Sequence, residues 1–281
     1  MTVINTNVAS LNAQAAIATN ARGLSKAMQQ LSTGRRINSA ADDAAGLAIS
    51  DKLTAQIRGL NQAIRNANDG ISMLQTAEGA TNEITNMLQR MRELGVQAAN
   101  DTYSSADRSA LQLEYSQLSD EISRISNNTK WNNMNIFATT ASGAIGTSGV
   151  VYFQVGIDGA SGATISATFS AMDSTTLSVS AGDLTTQSGA QSALGALDSA
   201  IAKVDTFRAK LGSKISRLTY AADNLANIST NTAESRSRIL DTDYAAATTE
   251  LARTQIIQQA ATAVLAQANS QSQTVLKLLQ S

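Results

Sequence analysis

The 281-residue sequence contains no cysteine, no histidine and no proline, and aromatic residues make up only 4% of it. Without thiols or imidazoles there is no disulfide, no thiolate nucleophile, no imidazole base and no metal site of the Cys or His type. The absence of proline permits very long helices. Much of the 43% hydrophobic content is alanine, which buries little area per residue. We therefore expect a protein that completes its burial against neighbouring molecules, with no cofactor and no enzymatic activity.

The sequence also has a small net charge and no long apolar run. The formal net charge is −1, which gives no electrostatic reason to expect a nucleic acid or an acidic membrane surface as partner. No stretch approaches the roughly 18 uninterrupted apolar residues of a membrane span. The N-terminus also lacks the basic and apolar regions of a cleaved secretory signal.

The two ends of the chain carry almost no charge. Residues 1–21 have no charged side chain, and residues 254–281 have only Lys277. A solvent-facing helix normally carries charge on its outer face, so both ends are expected to be buried on most sides in an interface. Both are thinly apolar, and burial within one chain does not offset an ordering cost of roughly 1 to 2 kcal/mol per residue. We expect the ends to be poorly ordered until a partner arrives.

Apolar side chains recur at helical spacing along five segments. Gly34 follows the first of them as a stop signal, and Ser104 or Ser105 can cap the third. The last segment keeps a heptad phase, which is typical of a coiled coil. The five predicted helical stripes comprise residues 4–31, 57–98, 111–125, 194–225 and 251–279.

The middle of the chain has a different composition. Residues 139–189 are rich in Ser, Thr, Gly and Ala and have almost no charge. Two runs of β-branched and aromatic residues, VVYFQV (150–155) and TISATF (164–169), are separated by GIDGASGA. This pattern predicts a β-hairpin.

The stretch between the first two helices combines Gly34, Arg35 and Arg36 with Asp42 and Asp43. A glycine beside arginines could bind an anion, but the phosphate-loop spacing and a preceding strand are both missing. We interpret the stretch as a connector. Gly34 ends the first helix, Asp42 or Asp43 caps the second, and the arginines pair with carboxylates of the same or a neighbouring subunit.

A second acidic pair, Asp241 and Asp243, lies beside Arg238 in SRILDTDY (237–244). Two carboxylates at this spacing could begin a calcium loop or form an acid/base pair. The glycine and glutamate that complete a calcium loop are missing. We interpret this stretch as a return connector whose carboxylates form ion pairs with the first connector, and we expect no metal.

Specific motifs at both ends resemble bacterial flagellin. They are LSTGRRINSAADDAAGLAIS, QIRGLNQAIRNANDGISMLQTAEGA and LQRMRELGVQAAN in the first half, and ESRSRILDTDYAAATTELARTQIIQQAATAVLAQAN in the second. The resemblance covers residues 1–137 and 187–281. It implies a mainly α fold of long coiled-coil and bundle helices, with paired N- and C-terminal helices and a small β-hairpin region in the middle.

The resemblance also implies three regions. Residues 1–45 with 238–281 would form an inner-tube coiled coil with its connectors, and residues 46–138 with 187–237 an outer helical bundle. Residues 139–186 would form the hairpin region, with the variable insertion of many flagellins nearly absent. The inner-tube contacts would come from Ile4, Val8, Leu11, Ile257, Val264, Leu265, Val275 and Leu279.

Further partners follow from the same resemblance. Gln89, Arg90, Leu94 and Glu114 match a surface that flagellins use both for subunit packing and for recognition by Toll-like receptor 5. Gly95 departs from the larger residue often found there. The apolar C-terminal end matches the segment that the flagellin export chaperone and cytosolic inflammasome sensors recognise. Filament cap and hook-associated junction proteins complete the expected partners.

The expected function is that of a secreted, extracellular structural subunit that polymerises into the flagellar filament. A subunit would be exported unfolded, and its ends would order on assembly. Contacts that do not close into a ring generate a helical tube. The alternative is a hook–filament junction protein, which shares the terminal helices but usually has a larger middle region. An enzyme or adhesin exported on flagellin ends would need a sizeable inserted domain, and a membrane-active helix would need a basic polar face.

Overall fold

The computed structural model describes residues 6–137, 146, 149–159 and 162–280, the last ten of these as backbone only. It is mainly helical, as the sequence predicts. The predicted contacts of Ile4, Val275 and Leu279, and much of the region between 138 and 148, lie outside the described residues. In chain order the elements are α1 (Val8–Thr33), α2 (Ala44–Ala98), α3 (Ser105–Asn128), β1 (Lys130–Trp131), β2 (Met134–Asn135), β3 (Val150–Gln154), β4 (Thr164–Thr168), α4 (Gln187–Leu240) and α5 (Tyr244–Gln280).

Local chemistry sets the helix ends. Gly34 follows α1 with φ 67°, a left-handed conformation that glycine adopts without steric cost, so the predicted stop is confirmed. At the start of α3, the Ser104 hydroxyl accepts a hydrogen bond from the Asp107 amide, and the Asp107 carboxylate accepts one from the Ser104 amide. The Ser104 hydroxyl also donates to the Asp107 carboxylate, and this bond, followed by the one from the Ser104 amide, lowers the pKa of Asp107. Of the two predicted caps, Ser104 is the one that is used.

The predicted hairpin is confirmed. Strands β3 and β4 pair antiparallel, with Val150 opposite Thr168 and Gln154 opposite Thr164. A smaller hairpin, β1 with β2, turns at Asn132 and Asn133, which have φ values of 46° and 65°. Positive φ at both turn positions suits asparagine and matches the twist of the paired strands.

The chain divides into two compact units, each built from segments distant in sequence. Residues 1–57 and 230–281 form the terminal unit, and residues 58–229 form the central unit. The central unit contains the large hydrophobic core, with fully buried side chains from α2, α3 and α4 such as Leu88, Ile122 and Val204. Phe153 and Ile165 of the hairpin belong to the same core.

A segment of irregular chain lies against α3 in the central unit. The buried Tyr115 hydroxyl donates to the Val179 carbonyl at 2.9 Å, and burial raises the pKa of Tyr115 to about 12. The Gln112 amide group donates to the Gly182 carbonyl at 3.1 Å and accepts from the Leu184 amide at 2.7 Å. A side chain at Gly182 would overlap the Tyr115 hydroxyl. Two side chains of α3 therefore satisfy backbone groups that no strand or helix pairs.

In the terminal unit, α1 packs against α5. The Asn20 side-chain amide donates to the Thr254 carbonyl at 2.8 Å and to the Gln258 side-chain oxygen at 3.0 Å. Near the other end of α1, the Asn7 side-chain amide donates to the Ala268 carbonyl at 3.0 Å. Uncharged polar side chains therefore join the two terminal helices.

Replacement of Tyr115 by phenylalanine tests the role of the buried hydroxyl. The Val179 carbonyl would lose this donor and keep only the longer hydrogen bond from the Gly182 amide at 3.3 Å. We therefore expect the free energy of unfolding of the central unit to fall by about 0.5 to 1.5 kcal/mol. Urea denaturation followed by the fluorescence of the single tryptophan, Trp131, measures this change. Tyr152→Phe is the matched control, because Tyr152 is 66% exposed and its replacement should change stability by less than about 0.5 kcal/mol. Equal stability of Y115F and Y152F would contradict the assignment.

Candidate functional site

The two connectors of the terminal unit pair through their backbones. The Arg36 amide donates to the Leu240 carbonyl at 2.7 Å, and the Thr242 amide donates to the Gly34 carbonyl at 3.0 Å. These bonds form an isolated antiparallel bridge between Arg35 and Asp241. The first connector is therefore tied to the chain between α4 and α5, and no strand precedes it among residues 6–33, as a phosphate loop would require.

Asp42 organises the first connector. Its carboxylate accepts hydrogen bonds from the Asn38 amide at 3.2 Å and the Ser39 amide at 3.1 Å, and it forms an ion pair with Lys26 at 2.9 Å. Lys26, followed by the two amides, lowers the pKa of Asp42 from 3.8 to about 2. Asp43 has the other predicted role, because its carboxylate accepts from the Gly46 amide at 2.8 Å and caps α2.

In the return connector, one aspartate also caps a helix and the other accepts a hydrogen bond from a nearby side chain. Asp243 accepts from the Ala245 amide at 2.9 Å and caps α5. Asp241 accepts from the Ser237 hydroxyl at 2.6 Å, and Arg238 pairs with Glu234 one helical turn earlier. No group of three or more His, Cys, Asp or Glu side chains that could hold a metal ion occurs within the described part of the chain.

The predicted ion pairs between the connectors are corrected within this chain. Among its described residues, the side chains of Arg35 and Arg36 contact no carboxylate; the Arg36 guanidinium instead donates to the Ile239 carbonyl at 2.7 Å. The reason is that Asp43 and Asp243 cap helices, and the last turn of α4 offers Arg36 an unpaired carbonyl. Pairing of these arginines with a neighbouring subunit remains a prediction.

The predicted receptor surface is partly assembled on α2 and α3. Gln89, Arg90 and Glu114 are exposed. The Arg90 guanidinium contacts the Glu114 carboxylate at 2.8 Å and that of Glu93 at 3.1 Å, and these carboxylates raise the pKa of Arg90. The ion pair holds the Arg90 side chain across the two helices.

The expected place of Leu94 on this surface is corrected. Leu94 is 0% exposed and belongs to the hydrophobic core. The helical spacing of Leu88 and Met91, which are also fully buried, continues to Leu94 and could have indicated this position. Leu94 therefore supports the helix that presents Arg90 and does not itself lie on the exposed face.

Two further contacts join α2 to α4 beside this surface, and sequence reasoning missed both. Arg92 forms an ion pair with Asp198 at 2.6 Å. A Cβ atom at Gly95 would lie 3.0 Å from a methyl group of Leu194, so glycine permits a close approach of the two helices. Gly95, where flagellins often have a larger residue, therefore lies where α2 and α4 pack closely.

The fold and the paired connectors define a mainly helical structural protein whose N- and C-terminal helices pack together. Comparison with known proteins gives the family. The model of the bacterial flagellin N-terminal helical region matches residues 4–142, and that of the C-terminal helical region matches residues 194–279. The chain belongs to the bacterial flagellin family.

Similar proteins agree with this assignment. A flagellin of Halalkalibacterium halodurans is 44% identical over 279 residues, which cover 99% of each chain. The flagellar filament core protein flaB2 of Brachyspira hyodysenteriae is 40% identical and covers 99% of this chain and 100% of its own. The crystal structure of Bacillus cereus flagellin matches with a TM-score of 0.50 and 32% identity, over 57% of this chain and 88% of that one.

The chain is a short flagellin without a large variable domain, and it functions as a subunit of the flagellar filament. A putative flagellar hook-associated protein from Vibrio parahaemolyticus matches with a TM-score of 0.61, but at 18% identity it shares the fold alone. The junction-protein alternative is therefore not favoured. Within the described helices, no segment combines the length and the apolar character that a bilayer crossing requires.

The low pKa of Asp42 predicts a pH dependence of the first connector. The pKa of Asp42 in the folded chain lies below the ordinary value of 3.8. The contacts of the ionised carboxylate therefore stabilise the connector above pH 3.8, and this stabilisation is lost as the pH falls to about 2. We expect the protection of the Asn38 and Ser39 amides, expressed relative to the intrinsic exchange rate at each pH, to fall over this interval. In Asp42→Asn the two amides should exchange faster already at neutral pH.

Asp51→Asn is the matched control, since it removes an exposed carboxylate from the same unit. It should leave both amides as protected as in the unsubstituted chain. Slow exchange of Asn38 and Ser39 in D42N at neutral pH would contradict the role of Asp42.

Proposed function

We propose that this subunit polymerises through the apolar faces of α1 and α5, which line the inner wall of the filament. The observation that carries the proposal is the exposure of apolar side chains on these two helices within one chain. Val8 is 55% exposed, Leu11 53% and Val264 59%, and Ile257 is exposed as well. Leu265 is half-buried. Exposed apolar side chains repeated along two paired helices favour burial against further copies.

The small core of the terminal unit supports the same proposal. Its buried hydrophobic residues among those described are Ala27, Ile37, Leu240 and Ala247. Four side chains, two of them alanines, offset little of the entropy lost on ordering two long helices. The ends therefore order fully when neighbouring subunits cover their exposed faces.

We further propose the three-region organisation expected from the family. Residues 1–45 with 238–281 form the inner-tube coiled coil, residues 46–138 with 187–237 the outer bundle, and residues 139–186 the hairpin region. The backbone bridge between the connectors supports a boundary near Gly34 and Asp241. Both connectors lie between helices that belong to different regions of this scheme.

In the proposed assembly pathway, the subunit is first exported. The chain passes through a narrow channel unfolded, with an export chaperone bound at its C-terminal end, and joins the extracellular filament. The absence of cysteine and proline supports this route, because neither disulfide formation nor slow prolyl isomerisation intervenes. Its partners are further flagellin subunits, the filament cap and the hook-associated proteins, and its role is structural and not catalytic.

The exposed valine on α5 offers a test of the polymerisation proposal. Val264→Asn keeps a similar intrinsic helix propensity but removes a side chain that each subunit would bury on assembly. Burial of a valine contributes about 1.5 kcal/mol or more, so we expect the critical concentration for growth from filament seeds to rise about tenfold. Light scattering and electron microscopy of seeded samples measure it.

Tyr220→Asn is the matched control, because Tyr220 is an exposed apolar residue of α4 in the central unit. It should leave the critical concentration within a factor of about two. Unchanged growth of V264N would contradict the proposed inner wall.

We also propose that Gln89, Arg90 and Glu114 form a surface recognised by Toll-like receptor 5. The exposed ion pair between Arg90 and Glu114 supports it, because the pair presents charged hydrogen-bonding groups in a fixed orientation. Recognition of the C-terminal end by cytosolic inflammasome sensors rests on the family resemblance of that segment.

Arg90→Ala tests the receptor surface. We expect it to lose most of its signalling in cells that carry the receptor, because the variant lacks the guanidinium and frees the Glu114 side chain. Arg124→Ala is the matched control, since Arg124 is an exposed arginine of the same unit that pairs with Glu121. Both variants should keep the circular dichroism of the unsubstituted protein. Equal signalling by R90A and R124A would overturn the proposal.

A further inference from the structure

The chain contains two Asp-Gly sequences in contrasting surroundings. Asp158 and Gly159 lie between β3 and β4, outside any helix or strand, and both are exposed. Asp69 and Gly70 lie in the interior of α2. The Asp-Gly pair is the sequence in which an aspartyl residue rearranges most readily, because glycine has no Cβ to hinder attack by its own backbone nitrogen.

From this difference we propose that Asp158–Gly159 is a site of spontaneous isomerisation, at which Asp158 converts to isoaspartate. The Gly159 backbone nitrogen attacks Asp158 Cγ and forms a C–N bond. The Cγ–O bond breaks, and the hydroxyl leaves as water with the amide proton. Water then adds to the Asp158 backbone carbonyl carbon of the resulting succinimide, and the bond from that carbon to the Gly159 nitrogen breaks. The product has the original mass, a free α-carboxylate and a main chain that runs through Cγ.

The surroundings of Gly159 favour ring closure. Its backbone N–H donates to no partner among the described residues, and a Cβ atom built there meets no other atom within 4 Å. The nitrogen is therefore free to turn toward the Asp158 carboxyl group. No packing contact on Gly159 has to break for the five-membered ring to form.

The Asp69–Gly70 pair lacks this freedom. Inside α2 the Gly70 N–H belongs to the ladder of helical hydrogen bonds, and the helical backbone keeps the nitrogen turned away from the preceding side chain. Gly70 also packs against the ring of Phe153, since a Cβ there would lie 2.8 Å from a ring carbon. The same dipeptide is thus protected by secondary structure and by packing.

Isomerisation would alter the contacts that hold the loop. The Gln154 side-chain amide donates to the Gly156 carbonyl at 2.8 Å and to the Asp158 carbonyl at 3.2 Å. The side chain of Ile157 packs on Gly59 of α2, with its methyl group 3.0 Å from where a Cβ would lie. Isoaspartate adds one methylene group to the main chain and converts the Asp158 carbonyl into a carboxylate. The Gln154 side-chain amide would then face a charged carboxylate in place of the neutral carbonyl at position 158.

The test is to incubate the full-length protein at moderately raised temperature in mildly acidic buffer. Water leaves more readily from a neutral carboxyl group than from a carboxylate, so these conditions favour the reaction. Enzymatic methylation of isoaspartyl carboxylates counts the product, and peptide fragmentation by electron transfer locates it. We expect isoaspartate to accumulate at position 158 and not at position 69.

Two variants complete the design. Gly159→Ala adds a methyl group into open space, so the fold is kept while attack by the nitrogen is hindered. Asp158→Glu keeps the charge but would need a six-membered ring. Both should lose the isoaspartate signal, whereas Asp69→Glu should keep it. Absence of isoaspartate at position 158 in the unsubstituted chain, or equal amounts at positions 69 and 158, would overturn the proposal.

Discussion

The two ends of the chain have to meet, and the rest of the structure depends on this constraint. Asn20 of α1 donates to the Thr254 carbonyl of α5, 234 residues away, and the connectors repeat the pairing through Arg36 and Leu240. Because residues 1–21 and 254–281 have Lys277 as their one charged side chain, polar amides and small side chains make the contact. The apolar residues that remain outside it are available to other copies. In the proposed assembly the same segments thus close the monomer and build the polymer.

The two units differ in what stabilises them. The central unit has a core of large aliphatic and aromatic side chains. It includes Tyr115, whose hydroxyl donates a hydrogen bond to the Val179 carbonyl of the irregular segment. The terminal unit relies on helix caps, backbone pairing and the Asp42 network, each of which contributes a modest amount. A polymer subunit benefits from this division, because one part keeps its shape while the other responds to neighbours.

The sequence predicted what local chemistry determines. The presence of five helices, the stop at Gly34, the cap at Ser104 and the β3–β4 hairpin follow from spacing and residue type. The apolar stripe 194–225 underestimates the length of α4, which extends from Gln187 to Leu240. Contacts between distant segments were missed, such as Lys26 with Asp42 and Gln112 with Gly182, since pattern reasoning does not reveal which loop meets which helix face. The family resemblance placed Leu94 on the receptor surface, whereas the side chain lies buried in the apolar stripe of α2.

The pairing of distant segments also constrains the order in which the chain folds. The entropy cost of closing a loop grows with the logarithm of its length, and α1 and α5 enclose nearly the whole sequence. The hairpins and the contacts of α3 join residues much closer together, as with Tyr115 and Val179, 64 positions apart. Once the middle of the chain is folded, the effective loop between the ends is shorter. We therefore expect structure to form from the middle of the chain outward, with the terminal helices the last to find their partners.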